Sequence, residues 1–192
     1  TLAESLLKDV LTADPDYADA HAWYARLLSI RIGQGWAADR QAASREALDR
    51  ADHAVRLDPK NGLALAMAGH LNSYLLRRFE IGLDLLERAV AACPNEPMAW
   101  LLHGASLAYV GRAAEGRQHA EYALSLSPCD PFSYMFHSFI AVCCYVDGDY
   151  EAAVRHCQLS TIDNPHYSTT YKALAVSLVA LGDVVEARKA GA

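Results

Sequence analysis

Five side chains between positions 137 and 157 have the chemistry to hold a metal ion: His137, Cys143, Cys144, His156 and Cys157. Thiolate and imidazole are the usual zinc ligands. Their spacing argues against that use. Cys143 and Cys144 are adjacent, so on a helix they point about 100° apart, and none of the five cysteines forms a C-x-x-C pair. Buried, inert thiols are the expectation. His21, His103 and His119 stand isolated in the sequence and read as satisfied or solvent-facing. Asp147 and Asp149 flank Gly148 in a turn and read as helix caps. No nucleophile elbow, P-loop or glycine-rich dinucleotide fingerprint occurs. The sequence therefore predicts no catalytic residue, no cofactor and no metal.

The elements that would position these residues recur. Proline falls at 15, 59, 94, 128 and 165, at intervals of 44, 35, 34 and 37 residues. Between Pro94 and Pro128 lie Trp100, Gly104, Gly111, Gly116, Ala120 and Ala123. Matching residues, most of them small, recur as Gly69, Gly82, Leu86 and Ala89, again as Gly148, Ala153, Cys157 and Ser160, and earlier as Ala47, Ala51 and Ala54. The 59–94 unit matches if one residue is inserted near its turn. The 128–165 unit needs three inserted around Cys129 to Phe132, and the 15–59 unit carries ten extra residues around RIGQGWAADRQ. A period of about 34 residues with a helix–turn–helix pattern marks a helical-repeat solenoid. Small residues let two antiparallel helices approach, glycine supplies the left-handed stop, and proline separates one repeat from the next.

The Pro94–Pro128 stretch resembles a tetratricopeptide repeat (TPR), with Trp100, Gly104, Gly111, Ala120, Ala123 and Pro128 in that family's places. The resemblance implies an all-α, right-handed superhelical solenoid of antiparallel hairpins, whose concave wall is built from the first helix of each repeat. The expected organisation is a single domain over 1–192. Residues 1–13 form the second helix of a truncated repeat, hairpins follow at 18–57, 62–92, 97–126 and 131–162, and a truncated last repeat occupies 168–192. Within these, helices are expected over 18–32 (capped by Asp14 or Asp16 and ended by Gly33-Gln34-Gly35), 36–57, 98–110, 132–146, 168–181 and 184–189. Strand signals are essentially absent.

In the family's register, Tyr74 and Tyr109 share one wall position and Tyr145 falls at or beside it. His70, Met98, Ala105, Met135 and Val142 are expected on the same wall, with Arg26 and Lys172 as its cationic contributors. Two readings stay open. The tyrosines line a groove for an extended or helical peptide, where they offer apolar area and a hydroxyl at low entropy cost, or they pack hairpin against hairpin. Relatives that grip a chaperone's C-terminal carboxylate use lysine and asparagine at fixed wall positions. Here those places hold Ala22, Ala66, Leu101 and Ser138, with Lys172 only in the last repeat, so that role is not expected. Trp36 either covers the end of the first hairpin or anchors a partner.

RIGQGW, AVRLDP, LSPCDPFSYMFH, GDYEAAV and LVALGDVVEARKA together resemble a narrower group. They are similar to the TPR arrays near the C-terminus of bacterial signalling proteins whose N-terminal part is a class III adenylate cyclase or a winged-helix transcriptional regulator. The resemblance implies a bacterial, cytoplasmic, regulatory piece of a longer polypeptide.

Composition bounds the rest. With 53% hydrophobic residues over 192 positions, a well-buried core is affordable. The net charge of −6 argues against direct nucleic-acid binding, which needs a clustered basic face. No apolar run reaches the ~18–20 residues that span a bilayer, and Thr1 to Asp14, without a basic start followed by a continuous apolar core, does not read as a secretion signal. The odd cysteine count fits reduced thiols. The expected function is non-catalytic protein–protein interaction, with a peptide or a neighbouring N-terminal domain on the concave surface. The alternatives are a self-association scaffold, dimerising through exposed repeat ends, or an accessory region of a nucleotide cyclase.

Overall fold

The computed structural model describes residues 2–191, and these are helical with no strand. The helices are α1 (Leu2–Ala13), α2 (Ala18–Gln34), α3 (Arg40–Leu57), α4 (Gly62–Leu76), α5 (Phe79–Ala92), α6 (Pro97–Tyr109), α7 (Ala113–Leu126), α8 (Ser133–Asp147), α9 (Tyr150–Asp163), α10 (Ser168–Ala180) and α11 (Val184–Ala190). They fall into two compact units, Thr1–Leu102 and His103–Ala192.

The two helices of each hairpin bury different amounts because their sequences differ in kind. In the first unit, α4 is apolar almost throughout and is buried continuously from Gly62 to Ser73. Its partner α5 buries only Gly82, Leu86 and Ala89, a single stripe at helical spacing. The stripe of α3 is Ala47, Ala51 and Ala54. In the second unit, α7 buries Ala113, Gly116, Ala120 and Ala123, and α9 buries Ala152, Ala153, Cys157 and Ser160. The small residues that set the repeat in the sequence are thus the ones that face inward.

Three of the first helices, α2, α6 and α10, are also tied to the proline ahead of them. His21 Nε2 lies 2.8 Å from the Pro15 carbonyl oxygen, Trp100 Nε1 donates to that of Pro94 at 2.8 Å, and the Tyr171 hydroxyl to that of Pro165 at 2.9 Å. All three donors sit six residues after the proline. That carbonyl lies outside the helical ladder, so a ring N–H or hydroxyl satisfies a group that would otherwise need water.

Helix ends depart from expectation in places with a visible cause. Helix α2 runs on through Gly33 to Gln34 and stops at Gly35, whose φ of 75° is left-handed. Neither Asp14 nor Asp16 caps α2. Tyr17 holds the N-cap position without a side-chain bond, and the Asp14 carboxylate instead accepts from the Asp16 amide. Helix α3 starts at Arg40 rather than Trp36, because Asp39 caps it by accepting from the amides of Gln41 and Ala42. Asp149 caps α9 by accepting from the Ala152 amide, whereas Asp147 closes α8 ahead of Gly148.

Four of the five turns that join the two helices of a hairpin place glycine in the left-handed region, at Gly35, Gly111, Gly148 and Gly182. There the amide one residue on bonds back five residues, as from Arg112 to Leu107 or from Asp149 to Cys144. The turn between α4 and α5 is one residue wider, its amide at Arg78 reaching back to Asn72. This is the inserted residue of the 59–94 unit, and the left-handed position is filled by Arg77, φ 56°. An L-residue with a Cβ is disfavoured there by about 1–2 kcal/mol. Replacing Arg77→Gly is expected to raise the unfolding free energy by about 0.5–1 kcal/mol, measured by urea denaturation, because relief of strain exceeds the added freedom of the unfolded chain.

Candidate functional site

The wall residues expected from the sequence are placed by the first helices of the hairpins, and they sort by exposure. In the first unit, Arg26 on α2 is buried, its guanidinium carbon 4.8 Å from the centre of the Trp23 ring. His70 on α4 is buried and stacks on Tyr74, with ring centres 5.4 Å apart and planes within 9°. Burial pushes the His70 imidazole down to about 4. Tyr74 is half-buried, and its hydroxyl lies over Gly33 of α2, where a Cβ would stand 3.9 Å away. Met98 is buried.

In the second unit, Met135 is buried, while Tyr109 and Tyr145 are half-buried. The Tyr145 ring lies 5.6 Å from that of Tyr150. Lys172 is exposed. Tyr145 lines an apolar depression of ≈ 330 Å³ with Val176, Val179, Val184 and Ala187. A second depression, ≈ 670 Å³, holds Lys172, Tyr171 and Ser168, and the two share Ala175 and Val176. Of the eight wall residues, the three tyrosines and Lys172 are those with surface to offer a partner. Ala105 is buried and Val142 half-buried. Trp36 is 62% exposed.

The cysteines behave as buried thiols where the sequence placed them in the repeat core. Cys143, Cys144 and Cys157 are buried, and burial pushes their thiols up to about 12, about 11 and about 12. At neutral pH these groups are un-ionised and poor nucleophiles. Among the described residues, no group of three or more His, Cys, Asp or Glu is arranged to hold a metal ion.

The histidines are not isolated. His21 of α2 meets His53 of α3 edge-on at 4.6 Å between ring centres, His103 of α6 meets His119 of α7 at 4.8 Å, and His137 of α8 meets His156 of α9 at 5.3 Å. Each pair joins the two helices of one hairpin. Residue type alone did not reveal this, because the partners are too far apart in sequence to read as a pattern. His21 Nδ1 lies 3.3 Å from Arg50 Nη1, which can only donate. That fixes the His21 proton on Nε2, where it meets the Pro15 carbonyl. His103 is 5% exposed and neither of its ring nitrogens has a hydrogen-bond partner. Burial, with His119 and Arg112 adding to it and Glu115 opposing, lowers His103 to about 4.

Two cations noted in the sequence are already neutralised. Arg117 pairs with Glu121 at 2.8 Å and with Asp149 at 2.9 Å, fastening α7 to the first turn of α9, and Arg112 pairs with Glu115. Among the described residues, no helix is long and apolar enough to cross a membrane.

No protein-family model and no curated protein matches the sequence. Solved structures do match in shape. YrrB, a TPR protein with a peptide-binding site, aligns with a TM-score of 0.53 at 16% identity over 96% of this chain and 88% of its own. PilW, a type IV pilus biogenesis factor, aligns at 0.66 and 16% identity over 97% and 80%. Human IFIT1, solved as a dimer with m7Gppp-AAAA, aligns at 0.75 and 18% identity over 97% of this chain and 44% of its own. The chain has the TPR fold. At these identities the likeness is one of fold, and the TPR hairpins here use the same turn glycines and small-residue crossings that the sequence repeats.

The buried histidines make TPR stability pH-dependent. Their folded-state values lie below the ordinary 6.5, so the unfolded chain takes up protons first as pH falls. Stability is therefore full above about pH 7 and declines between about pH 6.5 and 4, with His70 and His103 each accounting for roughly 2 kcal/mol by pH 5. Urea titrations at pH 7 and pH 5 should show this loss, and His70→Gln should flatten the pH slope. A stability unchanged from pH 7 to 5 would contradict the buried, neutral assignment.

Proposed function

We propose that this chain is a non-catalytic protein-interaction module that binds a peptide, or a neighbouring domain of its own polypeptide, on the wall formed by its first helices. The observation that carries the reading is the pair of adjoining depressions in the second unit. They lie along the first helix α10, at Tyr171, Lys172, Ala175, Val176 and Val179, with Tyr145 of α8 on one side and the second helix α11, at Val184, Ala187 and Lys189, on the other. Concave, largely apolar surface with a few directed polar groups is the general form of a binding site. Half-buried tyrosines suit peptide contact.

Neighbours of this fold include a protein with a peptide-binding site and one solved with capped RNA, so the fold leaves both ligand classes open. Charge favours the peptide. The net charge is −6, and Arg112 and Arg117 are held by carboxylates, so neither is free to contribute to the clustered basic face that a phosphate backbone needs. The narrower sequence resemblance supports a place in a bacterial, cytoplasmic regulatory protein beside a class III cyclase or winged-helix domain.

Self-association is a second reading, favoured by one specific observation. Leu2, Leu6 and Val10 are exposed along one face of α1, at 78%, 54% and 40%. An apolar stripe of this kind on a single helix face invites another apolar surface.

Selection of peptides from a random displayed library on the purified chain tests the leading reading. Enriched peptides should bind Tyr145→Ala and Lys172→Glu variants at least tenfold more weakly, while both variants keep the parental Tm. Failure to enrich any peptide, or equal binding by parent and variants, would contradict it.

A further inference from the structure

The two adjoining depressions of the second unit carry a charge pattern that runs against the rest of the chain. The chain holds 23 acidic and 17 basic residues, for a net charge of −6. Yet the charged side chains that line these depressions are all basic. Lys172 of α10 and Lys189 of α11 line the larger one, and Arg188 of α11 the smaller. All three are exposed, and the carboxylates of α11, Asp183 and Glu186, line neither depression. The polar depression of the first unit shows no such sorting, since Glu46 and Asp49 line it together with Arg50 and Arg56. Between the three cations the surface is aliphatic, with Val176, Val179 and Val184 exposed. Resting on the reading of this surface as a peptide site, we infer that its ligand is an acidic amphipathic peptide. Its apolar side chains lie on the valines, and its carboxylates meet Lys172, Arg188 and Lys189.

The extent of the surface sets the class of ligand. From Ser168 to Val179 the depressions follow α10 over about 16 Å, at ~1.5 Å of rise per residue. That is too long for a single small anion and matches about five residues of extended chain at ~3.3 Å each. A nucleic acid is matched less well, because the aliphatic floor gives a base edge no hydrogen-bond partner. Lys189 is paired with Glu186 at 2.5 Å, but the two side chains are 67% and 51% exposed. An exposed pair of this kind contributes little, and an ammonium with three N–H donors can serve a second carboxylate. The larger depression also reaches Ser168, the first residue of α10, where Tyr167 makes no side-chain cap bond. The positive pole of that helix favours a carboxylate as well.

The test uses the whole chain and three fluorescein-labelled peptides of about twelve residues, which share their leucine positions and carry Glu, Gln or Lys at the others. At long range the net charge of −6 attracts the Lys peptide and repels the Glu peptide. A preference for Glu therefore reports local complementarity. Fluorescence anisotropy should show the Glu peptide bound about tenfold more tightly than the Lys peptide, with the Gln peptide between them. The double variant Lys172→Glu, Lys189→Glu should lose or invert that order while keeping the parental Tm. Comparison of the three peptides on the parent decides the matter even where the variant fails to fold. Equal binding of all three, or a preference for Lys, overturns the inference and leaves the broader peptide reading standing. Binding of none overturns it too, and the library selection then decides the broader reading. A Glu preference that survives the double substitution overturns it by placing the acidic site elsewhere. So does displacement of the Glu peptide by an equal concentration of single-stranded oligo(dA), which assigns the surface to nucleic acid. Dissociation of a parental dimer as the Glu peptide binds gives the surface to a second copy and overturns it likewise.

Discussion

Where the two helices of a hairpin cross, residues with almost no side chain set the distance between their axes, and the rest of the fold follows from that approach. At the α6–α7 crossing, a Cβ on Gly104 would run into the Gly116 carbonyl oxygen, and one on Gly116 into that of Gly104. At the α4–α5 crossing, a Cβ on Gly69 would stand 2.8 Å from the Gly82 carbonyl oxygen and 2.7 Å from Leu86 Cγ. Backbone cannot step aside as a flexible side chain can, so these contacts fix the spacing. Because the second helix of each hairpin needs only a stripe of small residues to make the approach, its other faces are left to solvent. The first helix is enclosed by its own partner and by its neighbours, as the continuous burial of α4 shows.

That division of labour also explains where function can reside. A first helix packed on several sides keeps only a narrow strip of surface. Along that strip the long, stiff tyrosines at 74, 109 and 145 remain half-exposed, while shorter or more flexible wall residues such as Met98 and Met135 are covered. The interior polar groups are forced into one another's company by the same closeness. Three histidine pairs bridge three hairpins, and the serines at 73, 106 and 138 are buried without a hydrogen-bond partner.

Much of this was legible in the sequence, because the repeat is written in residues whose effect is local and steric. Gly35, Gly111, Gly148 and Gly182 read as turns since the left-handed conformation needs glycine, and the inserted residue of the 59–94 unit reappears as the wider turn at Arg77. Ala120, Ala123, Cys157 and Ser160 read as core because their period matches a helix face. What did not read through depends on tertiary distance. Asp14 and Asp16 have the right chemistry for a cap but bond within their own turn. Arg26 and His70 share a register with the wall tyrosines, yet their depth depends on how neighbouring helices close over them. The histidine pairs needed two helices to be laid side by side before either partner had a meaning.

The most direct measurement is the unfolding free energy of Gly104→Ala. Intrinsic helix propensity alone favours alanine over glycine by about 1 kcal/mol. The crossing predicts the opposite sign, a loss of about 2 kcal/mol or more, because the new methyl meets the Gly116 carbonyl oxygen. A Gly104→Ala chain as stable as the parent, or more so, would contradict the claim that these small-residue crossings hold the hairpins together.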